Sequence, residues 1–123
     1  MSEDISRLPP QVQERLLRLQ QLQQTLQTVM AQKQQVEMEQ TEVDQSLTEL
    51  QKTAADAVIY KAIGSLLVKA EKAKVTEELA ERKELLTTRS TVLARQEERL
   101  RSQAKEVQTK LQEDLNPVSP PSP

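Results

Sequence analysis

Carboxylates and amines are the reactive side chains this sequence offers in number: 19 Asp and Glu against 17 Lys and Arg, with no His and no Cys. That set has no thiolate nucleophile, no imidazole base and no ordinary zinc site. The carboxylates fall in runs such as "TEELAERKE", residues 76–84. There Glu78 and Arg82 stand four apart, the spacing of an ion pair on a solvated helix face. No catalytic, cofactor-binding or metal-binding residue is expected, and the chain does not read as an enzyme. The chemistry left to it is burial of apolar side chains and pairing of charges.

The apolar residues must therefore be placed on elements. Leu, Val, Ala, Ile and Met supply almost all of them; Phe and Trp are absent, and Tyr60 is the only aromatic residue. A rod or helical hairpin that buries one stripe fits this composition better than a globule. The net charge of −2 argues against a nucleic-acid binder. So does the segment 71–115, where acidic and basic residues are equal in number and no aromatic occurs. No apolar run reaches the ~18 residues of a membrane span. The start "MSEDISRLPP" has no apolar signal core. With no cysteine, a cytoplasmic location is expected.

Proline punctuates the two ends only, and Gly64 is the sole glycine. Between Gln11 and Asn116 good helix formers dominate. Residues 1–8 read as a flexible segment, 9–53 as a first coiled-coil helix and 54–71 as a β-hairpin module. Residues 72–115 read as a second coiled-coil helix, and 116–123, ending "NPVSPPSP", as a disordered Pro/Ser tail. In the first helix Leu19, Leu22, Leu26, Val29, Val36, Val43, Leu47 and Leu50 follow steps of three and four, with Lys33 and Gln40 in the skipped places. This is a heptad pattern. The second helix has a strict seven-residue string, Leu79, Leu86, Leu93, Leu100 and Val107, and the companion row expected is Arg82, Arg89, Gln96, Gln103 and Lys110.

Between the helices, "AVIYKAIGSLLVKA" is rich in strand formers: Val58, Ile59, Tyr60, Ile63, Leu66, Leu67 and Val68. Gly64-Ser65 is a two-residue turn signal, because Gly supplies the positive φ such a turn needs. A turn this tight sends the chain back, so the helices should run antiparallel. Leu50 with Leu79, Val43 with Leu86, Val36 with Leu93, Val29 with Leu100, and Leu22 with Val107 then form apolar layers. Each pair of numbers has the same sum, shared by Gly64 with Ser65 and, one heptad outward, by Arg15 with Asp114.

A lone two-stranded hairpin is marginal in water and has two open edges. Here one face carries Ile59, Ile63, Leu66 and Val68, and the other Val58, Tyr60 and Leu67, so hairpins of other chains are expected to complete it. At the open end of the helix pair, Leu8, Val12, Leu16, Leu17, Leu19, Leu111 and Leu115 read as apolar surface beyond what pairing needs. Such residues suit a weak, adaptable grip on apolar segments of other proteins.

Three stretches carry a further resemblance: "LPPQVQERLLRLQQLQQTLQTVMAQKQQVEMEQTEVDQSLTELQ", "DAVIYKAIGSLLVKAEKAKVTEELAERKELL" and "LARQEERLRSQAKEVQTKLQ". From about Leu8 to Leu115 the chain resembles the archaeal β type of the prefoldin family. Pro9-Pro10-Gln11-Val12-Gln13, Ile59-Tyr60-Lys61, Gly64 and Val68-Lys69 are its most specific parts. One hairpin between the helices, where the α type has two, points to the β type. The resemblance implies a hexamer of two α and four β subunits whose hairpins build β-barrels as a base. Six antiparallel coiled coils would hold unfolded protein and pass it to a group II chaperonin without ATP or any cofactor. A structural or tethering coiled coil without chaperone activity is the other reading of the same helices.

Overall fold

The computed structural model describes residues 7–116; most of the expected flexible start and Pro/Ser tail lies outside them. Four elements follow in order: α1 (Pro10–Lys52), β1 (Ile59–Ile63), β2 (Leu66–Ala70) and α2 (Lys72–Leu115). Proline suits the first position of α1 because its missing N–H would have no intrahelical partner there. The Pro9 carbonyl accepts the amides of Val12 and Gln13 at 3.0 and 3.1 Å, and Gln13 Nε2 donates to the Leu8 carbonyl at 2.7 Å.

Beyond the far end of α1, the Thr53 amide and hydroxyl both donate to the Leu50 carbonyl, at 3.2 and 2.8 Å. α2 starts without a Ser, Thr, Asp or Asn cap. Lys72 at its first position instead reaches across, and its Nζ donates to the Thr53 carbonyl at 2.6 Å. One helix start thus supplies the donor that the other helix end lacks.

The chain divides into two compact units. One holds the residues up to Gln32 and those from Leu93 onward; the other is Lys33–Val92. In the first, the Arg15–Asp114 ion pair and the 3.5 Å contact of Arg101 Nη2 with Met30 Sδ show the helix segments running antiparallel. The Arg15–Asp114 pair is the one expected from the heptad register. In the second, the Lys72 bond to the Thr53 carbonyl and the Arg82–Glu39 pair at 3.1 Å show the same sense, since the number of the earlier residue falls as the α2 number rises.

Burial follows the heptads on α1: Leu22, Val29, Val36, Val43 and Leu50 are buried, and Leu19, Leu26, Lys33, Gln40 and Leu47 are half-buried. On α2, Leu86 and Leu93 are buried, whereas Leu79, Leu100 and Val107 are half-buried. The companion row of α2 differs from expectation. Arg82, Arg89, Gln96 and Lys110 are exposed; Ser90, Glu97 and Ala104 are half-buried, and Leu111 is buried. From Leu86 onward the inward row therefore lies four residues after each member of the string; Lys83, four after Leu79, is exposed, and Gln103 of the expected row is half-buried beside Ala104. The expected Glu78–Arg82 pair is also absent: Arg82 bonds Glu39 of the other helix, and Glu78 bonds Lys61 of the hairpin. Partners across the fold have displaced the local one.

This geometry sets a test of register within the first unit. Cysteines replacing Leu22 and Val107 should cross-link within one chain, since a disulfide needs Cα atoms within about 7 Å. The chain has no native cysteine to compete. Thiol titration and peptide mapping would read the result, and preferential linkage of position 22 to a cysteine at Leu100 or Asp114 would show a one-heptad slip.

Candidate functional site

The β-hairpin is built as its residues dictate. β1 and β2 pair antiparallel in the register Ile59 to Ala70, Lys61 to Val68 and Ile63 to Leu66. Gly64 has φ +59°, and no other described residue has positive φ. A positive value at the first turn position followed by a negative one at Ser65 is the pattern of a type II′ turn, whose twist matches that of the strands. A Cβ at Gly64 would meet nothing, so the backbone angle, not space, calls for glycine here.

The alternation of the strands puts Ile59, Lys61, Ile63, Leu66 and Val68 on one face, and Tyr60, Ala62, Leu67 and Lys69 on the other. Neither face is covered. Val58, Tyr60, Ile63, Leu66, Leu67 and Val68 are all exposed, Leu67 at 73%; within the strands only the paired end residues Ile59 and Ala70 are half-buried. A groove of about 570 Å³ lies between the hairpin and the first turns of α2, lined by Ile63, Val68, Lys74 and Val75 among others. Lys61 Nζ bonds Glu78 Oε2 there at 2.6 Å. The hydrogen bond from Lys61 holds the Glu78 carboxyl below the usual glutamate range, with the charges of Lys61 and Lys74 acting in the same sense against a smaller opposing effect of desolvation.

The second candidate surface is the end of the first unit that holds both helix termini. Leu17 is 60% exposed and Leu115 55%, while Leu8, Leu16 and Leu19 are half-buried. Two residues expected to be surface are core: Val12 and Leu111 are each 5% exposed. The shifted α2 row explains Leu111, which comes level with Leu19 when Arg15 meets Asp114. Val12 stands seven residues before Leu19 in the inward row of α1.

Local spacing in the sequence does not give the partners of Lys61, Glu78 and Lys72: Lys61 meets Glu78, and Lys72 meets the Thr53 carbonyl. The available signal was Lys61 itself, a lone cation between Ile59 and Ile63 on an otherwise apolar strand face. Among the described residues, no group of three or more His, Cys, Asp and Glu side chains could hold a metal ion, and no helix is long and apolar enough to cross a membrane.

Comparison with known proteins gives one consistent neighbourhood. The family model described as "Prefoldin subunit" matches residues 13–117. The prefoldin subunit beta of Archaeoglobus fulgidus is 49% identical over 110 residues, covering 89% of this chain and 95% of that one. That of Thermococcus onnurineus is 46% identical over 112 residues, covering 91% and 97%. Among solved structures, the prefoldin beta subunit from Thermococcus strain KS-1 superposes with a TM-score of 0.80 at 42% identity, over 94% of this chain and 98% of that one.

Proposed function

The chain belongs to the prefoldin subunit family, and on that premise we propose that it is a subunit of an ATP-independent cytoplasmic chaperone. It assembles through its hairpin with α-type and other β-type prefoldin subunits, two of the first and four of the second. The complex captures unfolded or nascent polypeptides and delivers them to a group II chaperonin. The observation that carries this reading is the uncovered hairpin: a 5-residue strand pair with exposed apolar side chains on both faces. A tethering coiled coil has no use for such a joint.

Capture falls to the apolar residues at the open end, with Leu17 and Leu115 foremost and Leu8, Leu16 and Leu19 able to contribute their exposed parts. Val12 and Leu111 serve the core beneath them. Each grip is weak, because full burial of a leucine is worth only about 1.5–3 kcal/mol and a mobile client covers part of it. Assembly makes weak grips useful, since linked sites raise one another's effective concentration. The expected result is that Leu17→Ser with Leu115→Ser keeps the mass of the reconstituted complex but lowers its protection of a chemically denatured protein several-fold. Light scattering of the aggregating client measures this. Protection equal to that of the unaltered complex would remove the helix ends from the capture site.

A further inference from the structure

The two ends of the hairpin are attached very differently. Residues 53–58 separate α1 from β1, whereas Glu71 alone separates β2 from α2. A single residue still leaves two soft dihedrals. On those the hairpin could swing about Glu71 relative to α2.

A second attachment stops the swing. Lys61 lies opposite Val68 on the sheet, three residues and so about 10 Å from Glu71 along β2. Glu78 lies seven residues, also about 10 Å, beyond Glu71 along α2. The 2.6 Å bond between Lys61 and Glu78 closes this triangle. Among the described residues it is the only side-chain hydrogen bond or ion pair from the hairpin to either helix. The groove inside the triangle is open, and Ile63 and Val68 on its hairpin wall are exposed. The other charged groups around it are Lys69 from the hairpin, Glu71 between β2 and α2, and Lys74 from the first turn of α2.

We propose that Lys61 and Glu78 are positioning residues: their ion pair is a strut that fixes the angle of the hairpin on α2 and so presents the apolar faces ready for assembly. The proposal rests on the reading of the hairpin as the assembly joint. The pair is about half exposed, at 44% and 43%. A bond of that kind adds little to the stability of the chain. Its effect lies in orientation, because a joint held in its bound geometry loses less freedom on association.

The test uses the full chain with spin labels on cysteines at Ser65 in the turn and Glu81 on α2, read by pulsed dipolar spectroscopy. Glu78→Gln should broaden the distance distribution, and the exchange Lys61→Glu with Glu78→Lys should narrow it again. Far-UV circular dichroism should stay the same throughout. With an α-type partner, the concentration for half-assembly should rise on the order of threefold for each affected joint in Glu78→Gln and return in the exchanged pair. An unchanged distribution in Glu78→Gln, or broadening that the exchange does not reverse, overturns the strut. The distance measurement needs no assembly. A wild-type chain that stayed monomeric with its partner would overturn the assembly reading, while the distance distribution still decided the strut.

Discussion

Ile63→Asp together with Leu66→Asp is expected to reduce the assembled complex to single chains and small species. These residues face each other across the last rung before the turn and are 53% and 65% exposed in the single chain. Covered by another hairpin, each aspartate would become a carboxylate without a partner, at several kcal/mol apiece. That is enough to abolish micromolar association, which amounts to about 8 kcal/mol. The two carboxylates would also repel across the rung and loosen the hairpin itself. Leu67→Asp, on the opposite face, separates the effects, since it puts one charge in the interface and none against another. Size-exclusion with light scattering gives the mass, and circular dichroism follows the helices, which should persist. An unchanged complex mass in both variants would rule the hairpin out as the joint.

The second large effect is expected inside the coiled coil. Leu86 is 0% exposed, and its neighbour Leu85 is 53% exposed. Leu86→Ala leaves a hole among side chains that cannot fully close on it, costing about 2–5 kcal/mol. Leu85→Ala removes a side chain already half in water and should stay within about 1 kcal/mol. Urea unfolding of the isolated chain would measure both. Equal losses would mean that the inward row of α2 has been misidentified.

The contrast between these neighbours shows how far the sequence could be read. The leucine string of α2 stands out at strict intervals of seven, and Gly64-Ser65 announces a tight turn. From those two features the helix direction and the Arg15–Asp114 pairing follow. The companion row of α2 does not, because its inward members include Ser90, Glu97 and Ala104. Apolar periodicity cannot separate a small or charged inward row from the polar row beside it. Val12 and Leu111 read as surface in the sequence for a related reason: Leu111 lies off the seven-residue string, and Val12 faces a row that looks polar. The Lys61–Glu78 strut was hidden by local spacing: Glu78 has Arg82 four residues away, and only the folded chain shows each of them bonded elsewhere.

The bond from Lys72 to the Thr53 carbonyl bears on how this end of the molecule opens. A cation in the first turn opposes the dipole of α2, and Lys74 adds a second one there. Either lysine costs a few tenths of a kcal/mol in that helix taken by itself. Lys72 recovers the loss only by resting on the negative end of α1. The first turn of α2 is thus a poor helix start while α1 is frayed and a good one once α1 is complete. Amide hydrogens at the two helix ends are therefore expected to exchange with solvent as one cooperative unit, so that local opening next to the hairpin is a single event, not two independent ones.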